Sequence, residues 1–444
     1  MEGRGAGAVS GRFGVPASCS PRMVGEESGA IPRSRGPLRE RSRRTGAGPG
    51  ICRADVIEVA IERVVYGGEG LARHEGRVVL VPYVAPGERA LVEITEERPD
   101  FARARLVRLI EASPNRRDPP CPYYGTCGGC QLQHLHYAAQ QRIKVEFVRE
   151  SLSRIGGLLW SEDIPLVPSE EFHYRLRAQM KVRVSGDRVE LGYYRPASHD
   201  LCAIAECPLL SPELNAALER WRQQAPERFG NIRALDLVQG EDGRIAVHPL
   251  GEPMTVSWSV GGFTYAFDAR TFFQANRFLL AELLERVTAG EEGERALDLF
   301  CGVGFFTLPL ALRFAEVIGV ESDPRAVRFA RRNARHNGLR NCRFVAERVE
   351  TWLARQGGAM GPVDLVVLDP PRAGLSRALV RALARLAPER ITYVSCNPTT
   401  LARDLKWLLT DGYVLSSIVA LDLFPQTFHV ETVVKLRRAP ERRP

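Results

Sequence analysis

Two short segments of the chain put reactive side chains where strands end. In Ser395-Cys396-Asn397-Pro398 a thiol follows the apolar run ITYV and precedes the helical TTLARDL. A thiol just ahead of a helix, with Pro near the first turn, feels the positive end of the helix dipole, which is expected to lower its pKa and enrich the thiolate. Cys396 is therefore a candidate nucleophile. Asp369-Pro370-Pro371-Arg372 follows VDLVVL, so its carboxylate is expected to project from a strand's carboxyl end into the same crevice. The Gly-rich stretch DLFCGVGFFT, from Asp298 to Thr307, lies between a strand and a helix. Such a turn lets a ligand approach the backbone, and Glu321 at the end of the next strand is placed to bind ribose hydroxyls. Thr307 replaces the third glycine of a dinucleotide fingerprint, which weighs against a nicotinamide or flavin and favours a single nucleoside, S-adenosylmethionine above all.

Cys121, Cys127 and Cys130 have the spacing of a thiolate ligand set for a metal, which leaves the metal itself open, and Cys207-Pro208 lies far along the chain. Zinc would bring in His134 and His136. Cys202 is a weaker fourth ligand than Cys207. The spacing is not the C-x3-C-x2-C of radical enzymes, so radical chemistry is not expected. Cys19, Cys52, Cys301 and Cys342 read as unpaired and non-functional. Ten cysteines in 444 residues are too sparse for a secreted disulfide scaffold and point to a reducing compartment.

The elements that must position these groups show in the texture of the chain. From Gly290 onward ERALDLF, EVIGVE, NCRFVA, VDLVVLD and RITYVSC alternate with helical stretches such as PRAVRFARRNARHN and SRALVRALARLA. This implies a mainly parallel, doubly wound α/β sheet with ligands at its carboxyl edge. Residues 56–110 read instead as short β-rich runs broken at Gly67-Gly68, Gly70 and Pro86-Gly87, the spacing of a small closed or nearly closed barrel that often binds oligonucleotides. The hinge SPNRRDPP (113–120) leads into the cysteines, and 171–260 read as alternating strands and turns. Residues 1–52 are Gly, Arg, Ser and Pro without apolar periodicity and are expected to be disordered. A transit peptide, a start at Met23 and an RNA-binding arm all fit that tail.

Composition narrows the classes. Hydrophobic residues make up 44% and charged residues 26%, and no apolar run approaches the roughly 18 residues of a membrane helix, so a membrane-spanning protein is not expected. Residues 1–54 hold ten Arg and four Glu, so most of the +8 net charge belongs to the tail and only +2 to the rest. Only four of the 61 basic residues are Lys. Arg is the better bidentate phosphate ligand, but a compositional bias explains its abundance equally well, and charge leaves nucleic-acid binding open.

From Ala54 to Lys435 the barrel, the cysteine set, FFQAN (272–276), DLFCGVG, GVE, DPPR, SCNP and HVE (429–431) together resemble the RNA uracil-5-methyltransferases that use S-adenosylmethionine. Within that family the chain is most similar to the bacterial enzymes of large-subunit (23S) ribosomal RNA, because the bacterial transfer-RNA branch lacks both barrel and cysteine set. The resemblance implies an OB-like TRAM barrel for RNA over 53–112, a β-rich central domain over 113–260 and a Rossmann-like methyltransferase domain over 261–440. It implies a [4Fe-4S] cluster on Cys121, Cys127, Cys130 and Cys207. Cys396 would add to carbon 6 of uracil, making carbon 5 nucleophilic toward the methyl sulfonium, and Glu431 would remove the carbon-5 proton. Gln274, Phe300, Glu321 and Asp369 would contact the methyl donor, with Asp369 near enough to help hold the uracil. The expected partner is RNA, 23S ribosomal RNA first, with its uridine flipped out of the stack, and the enzyme is expected to be a cytoplasmic monomer.

Two departures from the family pattern stand out. Arg348, beside Glu347 in FVAERVE (344–350), occupies a place where an acidic or amide side chain usually meets the adenosine. Phe305 stands where a polar residue is common. Competing readings are core packing for Phe300 and a solvated surface charge for Glu431. Competing functions are transfer-RNA uracil methylation, or an RNA-binding scaffold with a decayed catalytic domain. Amino methylation is disfavoured, because enzymes with a similar Asp-Pro-Pro loop place an aromatic after the second proline, where this chain has Arg372.

Overall fold

The computed structural model describes residues 56–356 and 360–440, so the tail expected over 1–52 lies outside the described residues. Val56–Val64 (β1), Glu69–His74 (β2), Arg77–Pro82 (β3), Arg89–Glu97 (β4) and Phe101–Glu111 (β5) close into the expected barrel in the order β1-β2-β3-β5-β4. Only the β3–β5 pair is parallel. Val59, Ile61, Val79, Val81, Val92 and Ala104 fill the interior, and their alternation with exposed polar residues is what the β-rich texture reflected. The buried Glu88 accepts from Ala85 N (2.7 Å) and from Arg116 Nε (2.5 Å), which ties the barrel to the Pro- and Arg-rich hinge.

After the cysteine loop come Tyr137–Ser151 (α1) and the two-residue strand Leu166–Val167 (β6). An antiparallel sheet follows, built from Arg177–Ser185 (β7), Arg188–Tyr194 (β8), Leu201–Ala203 (β9), Ala234–Gln239 (β10) and Ile245–His248 (β11), with Pro212–Arg222 (α2) packed on it. Ser211 caps α2 by accepting from Leu214 N, and Pro212 takes the first helical position, where its missing N–H costs nothing. A hairpin of Val256–Val260 (β12) and Phe263–Phe267 (β13) leads to Leu280–Thr288 (α3).

The remaining chain alternates strand and helix: Gly293–Leu299 (β14), Thr307–Leu310 (α4), Phe314–Glu321 (β15), Pro324–His336 (α5), Cys342–Ala346 (β16), Val349–Gln356 (α6), Leu365–Leu368 (β17), Arg377–Leu386 (α7), Arg390–Ser395 (β18), Pro398–Thr410 (α8), Tyr413–Leu421 (β19) and Glu431–Arg438 (β20). The strands form one sheet in the order β16-β15-β14-β17-β18-β20-β19-β6. It is doubly wound as expected, with a separate apolar core on each face. Two features depart from a wholly parallel sheet. Strand β20 inserts antiparallel between β18 and β19, and β6, held between Pro165 and Pro168, adds a parallel edge strand from the central region. Two apolar residues carry no periodicity, so β6 leaves no trace in the sequence pattern.

Residues 422–430, between β19 and β20, join these parts. Lys144 Nζ of α1 donates to Asp422 Oδ1 (2.5 Å) and to the Phe424 carbonyl (2.9 Å), and both side chains are wholly buried. Burial pushes Asp422 up and Lys144 down, and their mutual attraction opposes both shifts. Removing one partner of a buried pair strands the other charge. Lys144→Met is accordingly expected to lower the unfolding free energy by about 3–5 kcal/mol in urea titrations, and adding Asp422→Leu is expected to recover most of that loss.

Candidate active site

The Gly-rich turn is built by backbone geometry. Phe300 N and Cys301 N both donate to Val320 O (2.8 and 3.1 Å), so the chain leaves β14 abruptly, and Phe300 sits at a φ of +70° that a non-glycine residue rarely adopts. Gly304, at φ +90°, has no room for a side chain, since a Cβ there would lie 2.9 Å from Leu308. Glu321 holds the turn by accepting from Gly302 N (3.2 Å) and steadies the start of α5 by accepting from Asp323 N (2.8 Å). Thr307, in the place of a third glycine, donates to the fully buried Asp298 (2.5 Å). Asp298 keeps its second oxygen without a partner, and burial raises it to about 7.

Gln274, Phe300, Gly302 and Asp369 line one pocket beside this turn, and Gln274 Nε2 donates to Asp369 Oδ2 (3.4 Å). Burial and the Asp298 charge raise Asp369 to about 7. A crevice lined by Gln274, Gly302 and Asp369, whose turn is held by Glu321 through Gly302 N, suits a nucleoside bearing a positive charge. S-adenosylmethionine fits that description. Phe305 lies in the core among Tyr265, Phe273 and Phe306, which accounts for an apolar residue there. Arg348 is 77% exposed, its nearest acid being Glu350 at 4.0 Å. Glu347 instead continues the crevice edge, its N–H donating to Glu321 O (3.0 Å).

The thiol and the second carboxylate meet through strand register. β18 and β20 pair antiparallel with Ser395 opposite Thr432, so Cys396, just past the end of β18, comes beside Glu431 at the start of β20. Glu431 is only 6% exposed, which rules out a solvated surface charge. Burial and Asp369 hold it well above the usual carboxylate range.

One expectation is corrected here. The pull of the helix end on the Cys396 thiol is outweighed: burial first and Glu431 second push it up to about 12, with Arg372 working in the other direction. Asn397 caps α8, its Oδ1 accepting from Thr399 N (3.0 Å).

Arg372 was noted in the sequence only as the absence of an aromatic. Its carbonyl accepts from Asn397 Nδ2 (3.1 Å) and Thr400 Oγ1 (3.2 Å), and its guanidinium lies 3.2 Å from His429 Nδ1. Burial and Arg372 depress His429 to about 3, so the neutral ring accepts from the guanidinium. Asn397 and His429 were likewise visible only as parts of motifs.

Cys121, Cys127, Cys130 and Cys207 line a single cavity of about 320 Å³. Burial raises all four thiols, Cys127 to about 11 and Cys130 to about 12. Such a set favours a cation that would stabilise the thiolates. Among the described residues no group of three or more His, Cys, Asp or Glu closes tightly enough to hold a metal ion. His134 does not belong to the set, because one ring nitrogen meets Tyr124 Oη (2.6 Å) and the other Val84 O (3.1 Å). His136 precedes α1 on the surface, and Cys202 is 4% exposed in the apolar core of the central sheet.

Comparison with known proteins agrees with this arrangement. A family model described as tRNA (Uracil-5-)-methyltransferase matches residues 254–439, and one described as TRAM domain matches residues 52–107. The chain is 38% identical over 410 residues to the 23S rRNA (uracil(1939)-C(5))-methyltransferase RlmD of Pectobacterium atrosepticum, covering 82% of this chain and 90% of that protein. It is 36% identical over 424 residues to the protein of the same name from Salmonella typhimurium, covering 86% and 96%. Among solved structures it is similar to the Pyrococcus abyssi tRNA (uracil-54, C5)-methyltransferase in complex with S-adenosyl-L-homocysteine, at 30% identity and a TM-score of 0.64, covering 85% of this chain and all (100%) of that one. The resemblance carried by the motifs is thus borne out, and the chain belongs to the tRNA (uracil-5-)-methyltransferase family, enzymes that use S-adenosylmethionine to methylate carbon 5 of uracil in RNA.

Proposed function

We propose that this enzyme methylates carbon 5 of a uridine in 23S ribosomal RNA through a covalent bond between Cys396 and carbon 6 of the base. The observation that carries the reading is the β18–β20 register, which sets a thiol beside a buried carboxylate with a guanidinium facing the thiol. The ribosomal substrate is supported by the names of relatives that cover most of the chain. The transfer-RNA reading rests on the description of the family model over residues 254–439 and on the Pyrococcus structure. Residues 53–112 serve as the RNA-binding barrel, 113–260 as the cluster-bearing domain and 261–440 as the transferase, in a monomeric cytoplasmic enzyme. Among the described residues no helix is long and apolar enough to cross a membrane.

The chemistry follows from the groups present. Ionised Cys396 adds to carbon 6, and the ring π electrons move onto the carbonyl oxygen as an enolate. S-adenosylmethionine supplies a methyl group on a sulfonium cation, whose charge favours the ionised forms of nearby acids until transfer leaves the sulfur neutral. Carbon 5 takes the methyl group. Glu431 then accepts the carbon-5 proton, the C5–C6 double bond re-forms and the bond to Cys396 breaks. An enclosed carboxylate that resists ionisation is a strong base once ionised, which suits this step. Gln274, Phe300, Glu321 and Asp369 hold the methyl donor, and Asp369 helps fix the uracil.

Cys121, Cys127, Cys130 and Cys207 hold a [4Fe-4S] cluster in this reading. A cubane would take its thiolates around a body several ångströms across, and the four thiols share one cavity.

Three measurements test these assignments. Cys396→Ala is expected to abolish methylation while binding the methyl donor with near wild-type affinity, read by calorimetry, and turnover at the wild-type rate would sink the mechanism. Glu431→Gln keeps the side chain's size but cannot take up the proton. It is expected to methylate and then stall as an RNA adduct on Cys396, visible as a retarded band on denaturing gels and absent from the double variant with Cys396→Ala. Protein purified without air is expected to carry about four iron atoms with matching sulfide per chain, and stoichiometric zinc without iron would refute the cluster.

A further inference from the structure

The barrel sends one side chain to the catalytic pocket. Tyr66 stands in the turn between β1 and β2, closed by hydrogen bonds from Gly68 N to Val65 O and from Val65 N to Glu69 O, each 2.9 Å. That turn has no slack. Gly68 lies at φ +88°, and a Cβ on it would fall 2.6 Å from the Gln131 side chain of the cysteine loop. The Tyr66 ring meets Phe147 of α1 and Phe428 edge-on, with centroids 5.8 and 5.2 Å away, so three parts of the chain fix its position. Its Oη is buried without a hydrogen-bond partner of normal geometry. The groups it faces are Arg372, then Cys396 and Glu431. A buried polar group left unpaired costs about 1–3 kcal/mol, and a slightly shifted Arg372 guanidinium would satisfy it.

We propose that Tyr66 is a positioning residue for methyl transfer, its hydroxyl holding the Arg372 guanidinium against the Cys396 thiol so that the barrel takes part in arming the nucleophile. The proposal rests on the assignment of Cys396 as that nucleophile. The groups facing Cys396 are Glu431 from β20, Asp369 and Arg372 from the loop after β17, Tyr393 from β18 and Tyr66 from the barrel. Arg372 is the cation in this set. His429 Nδ1 accepts from it on one side, and the phenol would complete its restraint on another. A guanidinium freed from that restraint favours the thiolate less, so a higher pH is needed to ionise Cys396.

Tyr66→Phe tests this, because it keeps both ring contacts and removes only the hydroxyl. The readout is the rate at which the protein forms a covalent adduct with RNA carrying 5-fluorouridine, measured across pH together with RNA affinity and thermal unfolding. The expected result is a loss of about tenfold near neutral pH, equivalent to one pKa unit of the thiol. The pH–rate midpoint should move upward and the rates converge at high pH, with RNA affinity and unfolding unchanged. A wild-type rate at every pH overturns the proposal. So does a pH-independent loss with weakened RNA binding, which would make the hydroxyl an RNA contact. Cys396→Ala is run alongside: an adduct in that variant defeats the underlying assignment, whereas no adduct there and wild-type trapping by Tyr66→Phe defeats the role of Tyr66 alone.

Discussion

Residues 422–430 run through the interior with their polar groups enclosed, and the need to satisfy those groups dictates how the parts of the chain meet. The partners come from several separate regions, α1 supplying two of them. Lys144 of α1 answers Asp422, and Asn276 of the FFQAN segment donates to Leu423 O. Tyr174 donates to Pro425 O, Gln140 exchanges hydrogen bonds with Gln426 in both directions, and the Gln426 carbonyl accepts from Gln131 N and Leu132 N. An unsatisfied buried amide or carboxylate costs several times what a typical hydrogen bond contributes net, so this segment has few alternative paths. Its course delivers Glu431 to the start of β20, and the β18–β20 register then brings it beside Cys396. Cys396 and Glu431, 35 residues apart in sequence, are neighbours because the loop leading to Glu431 is anchored by residues that precede both.

That placement carries an electrostatic cost which the site turns to use. Asp298, Asp369 and Glu431 all stand above the usual carboxylate range through burial, and Asp298 adds to the rise of Asp369 as Asp369 does to that of Glu431. Without a cation the pocket resists ionisation, and Cys396 shares that resistance. Arg372 offsets part of it from a fixed position, its backbone pinned by Asn397 and Thr400 and its side chain by His429. A ligand carrying positive charge is thus preferred over a neutral analogue of the same shape. In a family whose methyl donor is a sulfonium, the same field favours charged donor over spent product.

The sequence carried the large-scale fold well, and for identifiable reasons. Alternating burial in the barrel strands and a strand–helix alternation sustained from β14 to β18 are repeated signals, and the glycine turn lies next to the strand that positions it. The motifs also pointed to residues that the fold brings together: Gln274, Phe300 and Asp369 converge on one pocket, with Glu321 holding its turn. What escaped depended on tertiary context. Strand β6 is two residues long, the thiol's ionisation is governed by enclosure rather than by the helix end, and the surroundings of Arg372 come from 25 and 57 residues further along the chain. His134 looked like a ligand by proximity, yet both its nitrogens serve the packing of the cysteine loop on the barrel.

The same connectivity ties the cysteine loop to the segment that leads into β20. Gln131 and Leu132, immediately after Cys130, donate their backbone N–H groups to Gln426, and Gly68 of the barrel packs against the Gln131 side chain. Arg372, Phe428 and His429 line the same cavity as the four thiols. A rigid body bound by those thiols would fix residues 121–131 as one unit, since ligation restrains several backbone segments at once. The restraint would pass to Gln426 through two hydrogen bonds, and from Gln426 to His429 and Glu431 over a few residues of buried chain. A group held by those thiols would thus restrain the segment leading to Glu431 even if it exchanged no electrons, because its ligands share a cavity with Arg372, Phe428 and His429.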